Sequence, residues 1–177
     1  RDLARMIAGV RQAAAEAVCS GRFKIAGVEL DLGPEIDWLI NPLEEDIEWQ
    51  IEWHKFYYGL DMAKAYSRTG DAKFLDFWTK LVRSFIRQVP IEFASTDVLA
   101  RRVQNWIYAR RIFAGSKHFT GFQAGFENEL VGSIFKQATY LKDNLTDSAF
   151  WDEKVRLPVV LGKQANGRYR GLGLACS

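Results

Sequence analysis

Apolar residues recur at helical spacing along most of the chain. Between Ala72 and Val89, Phe74, Phe77, Trp78, Leu81, Val82, Phe85 and Ile86 follow the i, i+3, i+4 rule without a miss, which predicts an amphipathic helix stopped by Pro90. A second stripe, Trp49, Trp53, Phe56, Leu60 and Ala63, predicts one helix from about Glu48 to Arg68, with Gly70 as its C-terminal cap and Asp71 as the N-cap of the next. Leu3, Ile7, Val10, Ala14 and Ala17 mark a weaker helix over residues 2–19. Phe122, Phe126, Leu130, Ile134, Ala138, Leu141 and Leu145 mark another over about 121–145. Ser95 or Thr96 caps a further helix that ends near Gly115. The stretch SGRFKIAGVELDLGPEIDWLINP reads as a loop punctuated by Gly and Pro, with VELDL as one short extended piece. Long helices joined by short breaks predict an all-α architecture of antiparallel hairpins. The helical domain is expected over residues 1–146. Residues 147–177, with four glycines in VRLPVVLGKQANGRYRGLGLACS and no helical period, are expected to form an irregular or strand-like tail.

The helix STDVLARRVQNWIYARR, residues 95–111, contains an anomaly. At about 100° per residue, Val98, Leu99, Val103, Trp106 and Phe113 define an apolar arc, with Arg101, Gln104, Tyr108 and Arg111 opposite and solvated. Arg102 falls inside the arc, bracketed by Val98, Trp106, Ala109 and Phe113, and Asn105 sits at its edge. Arginine keeps its proton and is costly to bury alone. Arg102 must therefore meet a carboxylate, backbone carbonyls, or a wet cleft that an anionic ligand enters. Arg110 lies near the arc too, but close enough to the helix end to snorkel.

On the helix predicted over 48–68, His54, Tyr58 and Asp61 stand at i, i+4 and i+7, a polar strip expected to border a cleft. His118 has no partner spacing and is expected to be incidental.

Composition narrows the chemistry. With 177 residues and 48% hydrophobic content, the chain is sized for one core. Its 24 basic residues are mixed with 22 acidic ones, a net charge of +2 that does not argue for nucleic acid. Twelve Phe, 6 Tyr and 6 Trp suit a large core, and also stacking against sugar rings. Cys19 and Cys176 form neither a CxxC nor a Cys/His cluster, so no metal site, cofactor or disulfide framework is expected. No segment is apolar enough to cross a membrane, and the first residues lack a signal peptide's apolar core. GxSxG, HExxH and a phosphate loop are all missing from the sequence.

The runs WHKFYYGLDMAKAYSRTGDAKFLDFWTKLVRSFI, ASTDVLARRVQNWIYARRIFAG and SIFKQATYLKDNLT, in that order over roughly residues 37–146, resemble the N-terminal domain of the heparinase II/III family. The resemblance implies an incomplete (α/α) toroid whose inner helices line a cleft for acidic polysaccharide. It also implies a bacterial, periplasmic or secreted lyase that cleaves uronic-acid-containing chains by β-elimination, the toroid being followed by a β-sandwich domain. Such a site neutralises the uronate carboxylate, removes the C5 proton with a base and protonates the leaving oxygen. On that implication Arg102, Asn105, His54, Tyr58 and Trp106 are expected to contact the polysaccharide. The family's Asn-His pair, due just after YLKDNLT, is replaced by DSAFWDEKVRLPVV, so the resemblance assigns no catalytic residue to this sequence. The other reading is a non-catalytic helical binding module of TPR or sugar-binding type. A repeat array should show a second copy about 34 residues after MAKAYSRTGDAKFLDFW, and residues 97–113 offer only a loose echo.

Overall fold

The computed structural model describes residues 2–33, 35–43 and 47–144. Leu145 and the expected tail 147–177 lie outside the described residues. The chain divides into two compact units, Arg1–Ala138 and Thr139–Ser177. In the second, the described residues 139–144 are the last of a helix, where the Asn144 side-chain amide donates to the Tyr140 carbonyl at 2.8 Å.

The elements run α1 (Asp2–Cys19), β1 (Arg22–Ile25), β2 (Val28–Asp31), α2 (Ile47–His54), α3 (Tyr58–Thr69), α4 (Lys73–Gln88), a 3-10 turn (Ile91–Phe93), α5 (Thr96–Ala114) and α6 (Phe126–Asn144). The predicted limits of α1, α4 and α5 agree closely. Gly70 closes α3 with φ 74°, its N–H donating to the Tyr66 carbonyl, and the Asp71 carboxylate accepts the Lys73 N–H at 3.1 Å as the cap of α4. Ser95 caps α5 by position alone, since its hydroxyl bonds the Asp97 carboxylate instead.

Three expectations are corrected. First, the loop after α1 is an antiparallel hairpin, not one short extended piece: β1 pairs with β2 in the register Arg22↔Asp31 to Ile25↔Val28. Its two-residue turn, Ala26–Gly27, has φ 50° and 85°, the doubly positive geometry that matches strand twist. Second, α1 buries Ala15 and Val18, while Ile7 and Val10 of the expected stripe stay 47% and 67% exposed. The hairpin and α3 meet only part of its surface, so its buried face is set by small residues near its C-terminal end. Third, α6 begins at Phe126 instead of 121, because Gly121 and Gly125 take φ 128° and 77°.

A fourth difference matters for function. The helix predicted over 48–68 is interrupted: α2 ends at His54, and buried Phe56 sits in the left-handed region with φ 61° before α3 starts at Tyr58. An aromatic residue there costs about 1–3 kcal/mol, so surrounding structure must hold it.

The core of Arg1–Ala138 is aromatic. Trp38, Trp49, Trp53, Trp78 and Trp106 are all fully buried. Trp38 stacks on Trp53 at 4.5 Å and on Phe56 at 5.3 Å, and Phe56 meets Phe85 and Trp106 edge-on. Helix α3 packs against α1, α4 and α5. Gln88 of α4 accepts from the Trp38 N–H and donates to the Ile36 carbonyl, strapping the loop before α2 onto the core. Arg83 grips Glu129 bidentately at 2.8 and 3.0 Å, and donates to Gln123 and to the Ala124 carbonyl, which seats the start of α6.

Candidate functional site

The interruption at 55–57 leaves the His54 carbonyl, which ends α2, and the next one, of Lys55, to find donors outside the helix. Two side chains of α5 supply them. Arg102 Nη1 donates to the His54 carbonyl at 3.4 Å, and Asn105 Nδ2 donates to the Lys55 carbonyl at 2.7 Å. Both are buried, 1% and 3% exposed. A cation at a helix C-terminus also meets the negative end of the helix dipole. This is the backbone-carbonyl alternative among the partners expected for Arg102. No carboxylate pairs with it among the described residues.

The remaining surroundings of Arg102 are a buried amide and an aromatic ring. Its Nε donates to Gln137 Oε1 at 3.0 Å, and its guanidinium lies 4.5 Å from the centre of the Phe85 ring. Gln137 in turn donates to the Ser133 hydroxyl at 3.1 Å. Burial without a countercharge lowers the Arg102 pKa to about 10. The guanidinium still carries its charge at neutral pH. Only two of its five N–H groups are engaged by described residues.

The other expected contacts gather around this knot, behind it. His54 is 2% exposed, with its ring among Trp38, Trp53, Phe85 and Phe93. Its Nε2 lies 3.0 Å from the Trp38 carbonyl, which can only accept, so Nε2 carries the hydrogen. Burial first, then the Arg102 charge, pulls its pKa down to about 4. Trp106 is fully buried beside Phe56 and Phe85, its indole N–H without a hydrogen-bond partner among the described residues. Tyr58 packs on Phe23 and Phe56, and its buried hydroxyl likewise finds no described partner. Burial pushes that phenol well above its ordinary pKa, the Arg102 charge acting the other way.

The expected His54–Tyr58–Asp61 strip does not form, because the interruption separates His54 from the other two. Asp61 faces α1, where Arg11 stands 3.6 Å away. His118 is not merely incidental: its carbonyl accepts from Tyr66 at 2.7 Å, and its ring lies against Gly70.

Two pockets adjoin the five expected contacts. A groove of about 440 Å³ between the end of α4, the 3-10 turn and α6 has Arg102 in its wall, together with Ser133, Lys136 and Gln137. A larger one of about 620 Å³, among α1, the hairpin and the start of α3, touches Tyr58 and Asp61. His54, Asn105 and Trp106 line neither. The α6 residues of the first groove were missed from sequence, although Gln137 carries the same signal as Arg102: a polar residue within the stripe Leu130, Ile134, Leu141.

Residues 2–153 match the Heparinase II/III N-terminus family. The chain belongs to that family. This heparinase II/III N-terminal chain is similar to the solved structure of heparan sulfate lyase HepC from Pedobacter heparinus, at 25% identity and a TM-score of 0.67, over 76% of its own length and 22% of the lyase. A heparinase III, the BT4657 gene product, superposes with a TM-score of 0.64 at 21% identity, over 78% of this chain and 24% of that one. The heparinase II/III N-terminal chain thus spans about a quarter or less of the structures it matches. No curated protein matches it. Its fold is the helical toroid type of these neighbours, represented here by its helical hairpins, with one small β-hairpin between α1 and α2.

Proposed function

We propose that this chain is the N-terminal toroid domain of a polysaccharide lyase acting on uronic-acid-containing acidic polysaccharide of the heparan sulfate or heparin type. The domain extends over residues 1–146, with 147–177 outside it, and works with further toroid helices and a C-terminal β-sandwich domain. The reaction is β-elimination: a base removes the C5 proton of the uronate, the C4–O bond breaks, a C4=C5 double bond forms, and the leaving oxygen is protonated. No residue described here is assigned as that base.

One observation carries the reading within the family. Arg102 is a buried cation in a groove wall, with no carboxylate paired to it among the described residues. An anionic sugar entering that groove would supply the missing charge. Of the five expected contacts, Arg102 is the one proposed to meet the polymer from the groove. Asn105, His54 and Trp106 are buried around the interrupted helix and back it, while Tyr58 lines the larger pocket, where it is proposed to meet the polymer.

The test is binding of heparan sulfate, hyaluronate, alginate and neutral dextran, with absorbance of the unsaturated uronate followed in parallel. The expected result is binding to uronate polymers and not to dextran, weakened at least tenfold by Arg102→Ala. Uronate-polymer binding that survives this substitution unchanged overturns the role of Arg102. Binding without unsaturated product, both here and in a chain extended to the full length of the neighbours, supports instead a non-catalytic sugar-binding module.

A further inference from the structure

The groove at Arg102 has two unlike walls. One, from α4 and the 3-10 turn, is apolar: Phe85, Ile86, Val89, Pro90 and Ile91. The other, from α6, is polar and includes Asn128, Ser133 and Lys136. Lys136 is exposed and makes no ion pair among the described residues. Ser133 accepts from Gln137, which leaves its own hydroxyl hydrogen to donate. The one carboxylate in the lining, Glu129, is held by Arg83, which also holds its pKa below the ordinary range.

Gly132 occupies the middle of the polar wall, inside α6. Glycine is a poor residue for a helix interior, and a Cβ built there meets nothing within 4 Å. Protein packing therefore does not call for its small size. Gly132 is exposed and lines the groove, so a bulky side chain there is expected to narrow it.

We infer that this groove is a subsite for one anionic sugar unit, whose carboxylate or sulfate meets Lys136 and Arg102 while its C–H face lies on the Phe85–Pro90 wall and its edge passes over Gly132. This rests on the proposed polysaccharide reading and deepens it by adding residues that the reading did not use. An amphipathic ring with a single charged substituent matches one apolar and one cationic wall. Lys136 stands one helical turn from both Gly132 and Ser133 on α6, so one ring spans that face.

The experiment is calorimetric titration of the full chain with three tetrasaccharides: sulfated heparan sulfate, unsulfated glucuronate-containing heparosan, and uncharged chitotetraose. Free glucuronate and inorganic sulfate are followed by amide chemical shifts. Both anionic oligosaccharides should bind and chitotetraose should not. Lys136→Gln should weaken them about tenfold, and Gly132→Phe should abolish binding while the protein stays folded. Equal affinity for the two anionic probes assigns the carboxylate as the recognised group. Binding of the sulfated one alone assigns the sulfate. Anionic binding unmoved by both substitutions overturns the subsite and leaves the polysaccharide reading standing. If no oligosaccharide binds but free glucuronate or sulfate shifts the amides at 132–136, the subsite stands and the polysaccharide reading falls. No binding and no shift overturns the subsite.

Discussion

Lowering the pH from 7 to 5 should destabilise the fold through His54. Its pKa is about 4 in the folded chain against an ordinary 6.5. Between those values the unfolded chain holds a proton that the folded chain refuses, so the unfolded state binds more protons and stability rises with pH. The contribution is therefore full above pH 6.5, falls away between 6.5 and 4, and is flat below. With these two values the loss at pH 5 is about 2 kcal/mol, roughly 30-fold in the folding constant. The structural cause is specific: a ring 2% exposed, enclosed by four aromatic side chains, facing the Arg102 cation. Urea unfolding followed by tryptophan fluorescence, at pH 7 and pH 5, measures the loss. His54→Gln keeps an N–H to donate to the Trp38 carbonyl but cannot titrate. Asp61, whose burial raises its pKa, and Asp71 and Glu129, whose hydrogen bonds to Lys73 and Arg83 lower theirs, contribute equally in both proteins and cancel. The wild type should lose about 2 kcal/mol more than His54→Gln over this interval. Equal losses would refute the reasoning, as would a His54 titration at or above its ordinary value.

Three other substitutions probe the same framework. Asn105→Ala leaves the buried Lys55 carbonyl without its donor and should cost about 1–3 kcal/mol in a denaturation experiment. Gly132→Ala should stabilise the chain by about 0.5–1 kcal/mol, since its Cβ meets nothing and the helix interior prefers alanine. Gly70→Ala should do the opposite by about 1 kcal/mol or more, because φ is 74° and the added Cβ would stand 2.8 Å from the His118 ring.

The sequence was most informative where structure is decided locally. The α4 stripe, the Gly70–Asp71 junction and the two faces of α5 all follow from neighbours within a few residues, and the structure shows them as expected. Arg102 was legible as a cation on the buried side, since that needs only the helical period. What it touches was not legible, because its partners lie 35 and 48 residues away. The interruption at Phe56 had no local marker either: no Gly or Pro stands there, and residues 48–68 carry an unbroken helical stripe. The hairpin was obscured by its Ala-Gly turn, a weaker signal than Asn-Gly. The groove needed α4 and α6 to be placed side by side before Gly132 and Lys136 could be recognised as neighbours of Arg102.

The carbonyls left open by the interrupted helix have a consequence for how the chain is made. Synthesis delivers residues 47–69 before residues 96–114. Until α5 arrives, nothing supplies the donors that Arg102 and Asn105 provide at separations of 48 and 50 residues. The stripe over 48–68 favours a single rod, so the break at Phe56 is held by residues far along the chain. A peptide of residues 47–69 lacks both donors and is expected to be helical through Phe56, which the NMR shifts of its backbone would show.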